Sequence, residues 1–234
     1  MKLKYEVITI KTKILLIASG LVMCVAFIIL IGNKKETFIK VGVIDGRATI
    51  NVPKKTNKHI YERGDSQTTQ HSNIVWDLVT GDGLSNDNKL QFYEYAVVKD
   101  GGGISPKTLA KALVQADKDH LDVVNLSANF YVEDKGVKNA IEQLIHDKTT
   151  VVVSAGNIGS GKPQFPSNIK GVISVGSKHN NKISSFSPRQ QVAKYADGEN
   201  VKYKNHIVSG TSFSAPKITN QIIQEKIHNN ANTR

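Results

Sequence analysis

Short runs rich in Val and Ile alternate along this chain with segments of helical period, and that alternation limits the fold more than any other feature. The runs cover residues 39–44, 92–98, 121–126, 150–154 and 171–175, and each ends in polar or Gly residues. Continuous apolar runs of this length, closed by turn residues, read as strands buried on both faces. Between them Ile74, Val75, Leu78 and Val79 share one helical face, as do Leu109, Ala112, Leu113 and Ala116, and again Val137, Ala140, Ile141, Leu144 and Ile145. Strand, helix and strand in succession predict an α/β domain, a mostly parallel central sheet with helices on both faces. In such a sheet ligands bind beyond the carboxyl ends of the strands, where Asp45 and the turn at 154–157 are expected. The polar stretches 51–70 and 180–189 read as surface loops.

At 234 residues the chain has room for one domain of ordinary size. Residues 14–31 carry no charged side chain and just reach the length of a membrane-crossing helix. Bulky Phe27, Ile28, Ile29, Leu30 and Ile31 close the run where a cleaved signal peptide would carry small residues, so retention as an anchor is expected. The division is then a basic tail at 1–13, a transmembrane anchor at 14–32, a spacer at 33–38 and a folded domain at 39–234. Lys2, Lys4, Lys11 and Lys13 before the span are matched by Lys34, Lys35, Lys40 and Arg47 after it, so charge does not orient it.

The formal charge of +11 is spread along the sequence, and aromatics are not interleaved with Lys and Arg. A nucleic-acid partner is therefore not expected, whereas membrane lipid is a partner of the apolar span. Cys24 is the only cysteine and lies inside that span, which excludes an intrachain disulfide and a thiol active site.

The strongest chemical signal is Ser209-Gly210-Thr211-Ser212-Phe213-Ser214-Ala215-Pro216, a turn of small residues entering a helix whose Ile218, Ile222 and Ile223 share a face. A Ser at a helix entrance has the positive end of the helix dipole behind it, which favours negative charge developing on an attacked carbonyl. Taken singly it could also be an N-cap. Asp45 could be a turn residue at a strand end, His71 a surface histidine, and Asn157 a left-handed turn residue.

In order along the chain these blocks resemble the subtilisin-like serine peptidases from about residue 39 onward. Val41-Gly42-Val43-Ile44-Asp45 is similar to the family's strand-end Asp motif, and His71 begins a helical segment as the family's His does. Val153-Ser154-Ala155-Gly156-Asn157 matches its Asn turn, and Gly210-Thr211-Ser212 its nucleophile turn. The resemblance implies a subtilisin-like three-layer fold and a serine endopeptidase. In it Ser212 is the nucleophile, His71 the base, Asp45 the partner of the imidazole and Asn157 an oxyanion donor. It implies a peptide or protein substrate held against Ser127, Ala128 and Asn129 on one side and Ser154, Ala155 and Gly156 on the other. It also implies a cis bond at Phe165-Pro166 and a domain outside the cytoplasm, so that the protein is a single-pass protein of the cell membrane.

Departures bear on substrate and activity. His71-Ser72-Asn73 stands where the family has His-Gly-Thr, and Ser127 is followed by Ala128-Asn129-Phe130 where relatives place small glycines in the cleft. The expectation is selective cleavage of few peptides; the other reading is a catalytically silent member that binds peptides or a membrane partner. The distance from the apolar span to Asp45 is too short for the folding chaperone segment of many secreted members, and a reduced form of the fold is expected. No cofactor is implied. Asp82, Asn86 and Asp87 could bind calcium, although an Asp/Asn-rich turn is the plainer reading.

Overall fold

A computed structural model of the chain describes residues 38–159 and 161–232. The expected tail and anchor, and the spacer up to residue 37, lie outside the described residues. Among the described residues no helix is long and apolar enough to cross a membrane.

The central sheet takes its strands in the order β2 (Asn57–Ile60), β3 (Leu90–Ala96), β1 (Ile39–Asp45), β4 (Val123–Leu126), β5 (Thr150–Ser154), β6 (Ile173–His179), β7 (Lys182–Ile183), with β8 (Lys194–Asp197) also paired to β6. All these pairings are parallel except that of β7 with β6. A separate antiparallel hairpin joins β9 (Val201–Tyr203) to β10 (His206–Val208).

Among the described residues four α-helices cover the sheet: α1 (Ser66–Thr80), α2 (Pro106–Lys118), α3 (Lys135–His146) and α4 (Thr211–Asn232). Each of the first three starts on a side-chain cap. Asp65 accepts from Thr68 N, Ser105 from Thr108 N with Pro106 in the first turn, and Asp134 from Val137 N.

Successive strand residues point to opposite faces, and the buried clusters follow that rule. Ile44, Val124, Leu126, Val151 and Val153 pack with Leu109 and Leu113 of α2 and Val137 and Ile141 of α3. On the other face Val41, Val43 and Phe92 meet Val75, Trp76 and Val79 of α1 and Ile223 of α4. Val123, Val152 and Val175 meet Ile218 and Ile222, also of α4. The result is the expected three-layer sandwich, with both faces of the inner parallel strands removed from water.

The polar stretches 51–70 and 180–189 are not loops throughout. They hold β2, the start of α1, and β7. Strand β2 is an edge strand of exposed and half-buried residues, so it lacks the apolar run that marks the inner strands. Lys58 belongs there because it pairs with the wholly buried Glu94 of β3, Nζ to Oε2 3.2 Å. The Asp/Asn-rich segment after α1 is a turn: Leu84–Asn86 forms a single 3₁₀ turn, and Asp87 Oδ1 accepts from Lys89 N at 2.8 Å. Among the described residues no three His, Cys, Asp or Glu side chains cluster as a metal site would need.

Candidate active site

From β1 the chain passes through the edge strand β2 to β3 on one side, then crosses to β4 on the other. Such a reversal opens a crevice at the carboxyl ends of the two diverging strands. Asp45, the last residue of β1, stands at that point and is buried.

His71 comes from α1 as its sixth residue, so the helix begins before it and not at it, capped by Asp65. Nδ1–H of His71 donates to Asp45 Oδ1 at 3.0 Å. The same oxygen accepts from Gly46 N at 2.7 Å and from Ser72 Oγ at 2.7 Å, while Oδ2 has no partner among the described residues. Donors gathered on one oxygen hold the carboxylate in a single orientation. Burial by itself would lower the pKa of His71, but the Asp45 charge and the hydrogen bond from it outweigh burial, and the pKa stands above that of an ordinary histidine. The ring also lies against Phe213, with centroids 5.2 Å apart at 47°. Nδ1 is thereby committed and Nε2 is left for a substrate-side proton.

Ser212 is the second residue of α4, at the helix entrance. Its carbonyl has no helical donor, because Pro216 stands four residues on and has no N–H. Ser127 Oγ donates to that carbonyl at 3.2 Å and so ties the segment after β4 to the nucleophile turn. Pro216 is therefore not merely tolerated near the helix start; it frees an acceptor that Ser127 uses.

Asn157 follows β5 and the left-handed Gly156. Its Oδ1 accepts from Thr211 N at 2.9 Å and Thr211 Oγ1 at 3.1 Å. Gly156 N in turn donates to Thr211 Oγ1 at 3.2 Å. With Oδ1 occupied as an acceptor, the Nδ2 hydrogens are the ones left to donate to a substrate. Asn157, His71, Ser212 and Gly210 line one cavity of about 430 Å³, to which His206, Ile207 and Val208 of β10 also contribute. A second cavity, of about 500 Å³, opens on the other side of His71 between Ser127, Ala128, Asn129, Phe130 and the glycines 101–103.

The structure thus brings Asp45, His71, Ser212 and Asn157 to one crevice, with Ser127, Ala128 and Asn129 along its edge. Ser154, Ala155 and Gly156 lie behind it and are buried. Phe165-Pro166 is cis, and Phe130 N donates to Phe165 O at 2.7 Å. Two contributors are not legible as such. Ser72 is visible only as an unusual residue after His71, and Thr211 only as part of the nucleophile turn.

The model of the subtilase family matches residues 38–224. Subtilisin-like protease 1 of Pseudogymnoascus destructans is 30% identical over 132 residues, 51% of this chain and 33% of the relative, so the chain spans about a third of the curated relative it matches. Among solved structures, a cold adapted subtilisin-like serine proteinase superposes with a TM-score of 0.67 at 17% identity, over 82% of this chain and 78% of that one. The patellamide maturation protease PatA gives 0.64 at 19%, over 82% and 80%. The prenylagaramide maturation protease PagA gives 0.64 at 21%, over 80% and 77%. At such identities the likeness is one of fold.

Proposed function

The chain belongs to the subtilase family, a family of serine peptidases, and from that premise we propose that it is an endopeptidase with Ser212 as nucleophile, His71 as general base, Asp45 as its orienting partner and Asn157 as oxyanion donor. The observation that carries the reading is the 3.0 Å bond from His71 Nδ1–H to Asp45, made by a ring that opens onto the cavity of Ser212 and Asn157. Asp45 fixes the tautomer with Nε2 unprotonated and offsets the charge of the imidazolium that forms.

His71 Nε2 takes the proton of Ser212 Oγ as that oxygen attacks the scissile carbonyl carbon. The carbonyl oxygen becomes an oxyanion, which accepts from Asn157 Nδ2 and Ser212 N with the positive end of the α4 dipole behind it. When the tetrahedral intermediate collapses, the C–N bond breaks and His71 returns the proton to the leaving amine. Water then attacks the acyl-enzyme by the same route and frees Ser212.

The substrate class is a peptide or protein. Selective action on few peptides agrees with the likeness in fold to the maturation proteases PatA and PagA. The uncharged run at 14–31 is read as a single-pass anchor, with the domain from residue 39 outside the cytoplasm. The activity is tested with a fluorophosphonate probe: wild-type protein takes one label on Ser212, and Ser212→Ala takes none. Labelling at an undiminished rate in the variant contradicts the assignment.

A further inference from the structure

The nucleophile turn is held between two segments. Ser127 Oγ bonds Ser212 O on one side, and Asn157 Oδ1 bonds Thr211 on the other. The residue that contributes the attacked carbonyl is one bond from that carbon, so on the proposed function its side chain starts beside these two segments, residues 127–129 and residues 154–157.

The space between them is already filled by the protein. Asn129 Nδ2 donates to Ser154 O at 2.6 Å, and Ser154 Oγ donates back to Asn129 Oδ1 at 3.1 Å. This reciprocal pair spans the two segments. Behind it, the Gln164 side chain lies over Gly156: a Cβ placed on that glycine would come within 2.9 and 2.8 Å of Gln164 Cγ and Cδ. Gln164 N donates to Ala155 O at 2.9 Å, which holds its residue in place. Ser154 and Ala155 are accordingly 0% exposed. The open room lies to either side, in the 430 Å³ cavity of Asn157 and Ser212 and in the 500 Å³ cavity beyond Ala128, lined by Val98, Ile104 and Phe130.

We infer that Asn129 and Gln164 restrict the residue before the scissile bond to Gly, Ala or Ser. A large side chain would have to displace a doubly bonded amide and leave the buried Ser154 carbonyl unpaired, and both effects oppose binding in the transition state. The inference rests on the proposed endopeptidase activity, because only a reacting substrate defines that residue.

Two peptidyl aryl phosphonate esters that inactivate serine peptidases, identical except for an alanine or a phenylalanine analogue at the reacting position, test it on the full chain. Fluorophosphonate labelling runs in parallel. The alanine ester should inactivate at least about tenfold faster, the scale on which pockets reject excess bulk. In Asn129→Gly and in Gln164→Ala the phenylalanine ester should gain on the alanine ester, and most in the double variant; near-ultraviolet circular dichroism reports whether each variant is folded. Gln164→Ala keeps the Asn129–Ser154 pair, so it serves if Asn129→Gly does not fold. An alanine ester no faster than the phenylalanine ester, including the case where neither reacts while the fluorophosphonate does, overturns the inference. Failure of the fluorophosphonate itself overturns the proposed function, and this inference falls with it.

Discussion

Asp45 Oδ1 is where the chemistry of the site is set, because His71, Ser72 and Gly46 all donate to that one oxygen. The raised pKa of His71 reflects burial opposing the charge, overcome by the Asp45 carboxylate and its hydrogen bond. The sign for stability follows. The pair contributes fully below the pKa of an unfolded histidine, and the contribution is lost as pH rises through the raised folded value. On the proposed function the base must be neutral, so kcat/KM should rise with pH through the same value.

In Asp45→Asn both raising causes disappear and burial remains. The acid limb should move to lower pH, with a plateau lower by about 10⁴-fold. Ser72→Ala removes a competing donor from Oδ1, concentrates the carboxylate charge on His71, and should move the limb the other way. A pH profile unmoved in both variants would mean that Asp45 does not govern His71. The four residues of the proposed catalytic set stand out in the sequence because each sits in a short local motif. Ser72 does not, since its role depends on Oγ reaching an oxygen 27 positions away, and Asn129 meets Ser154 across 25. Contacts of that range are made by topology and leave no mark on neighbouring residues.

Elements buried on both faces could be read directly. Strand β5 runs from Thr150 to Ser154 as expected, and β1 extends the expected run only to include Asp45. Strand β2 and the β9–β10 hairpin could not be read, because their exposed or half-buried residues carry no apolar pattern. The join between α1 and α4 is polar as well. Asn220 Nδ2, from a buried side chain of α4, donates at 3.1 Å to both Val79 O and Gly81 O at the end of α1. These are among the carbonyls that a helix end leaves without an internal donor. Asn220→Ala should therefore destabilise the domain by about 1–3 kcal/mol, read as a lower midpoint in urea at unchanged slope. Since α1 carries His71 and α4 carries Ser212, activity should also fall more steeply on warming. An unchanged midpoint would show that the two helices are joined by apolar packing alone.

At the scale of the whole molecule, an α/β sandwich holds an acid, an imidazole, a hydroxyl and an amide at one edge of its sheet, and an apolar span is expected to tether it. That span is tested on the full chain in cell membranes. The protein should stay with the membrane fraction through alkaline carbonate extraction, and a double charge at its centre, Val25→Lys with Phe27→Lys, should release it. Release of the unsubstituted protein would remove the anchor, and protection of the domain from protease added to intact cells would reverse the expected orientation. The central claim concerns Ser212 and His71 acting together, and the rate at which a fluorophosphonate labels Ser212 tests it most directly. His71→Ala should slow that rate by more than about 10⁴-fold, because members of such a set act as a unit, with the circular dichroism spectrum unchanged. Labelling of folded His71→Ala at the wild-type rate would contradict the account.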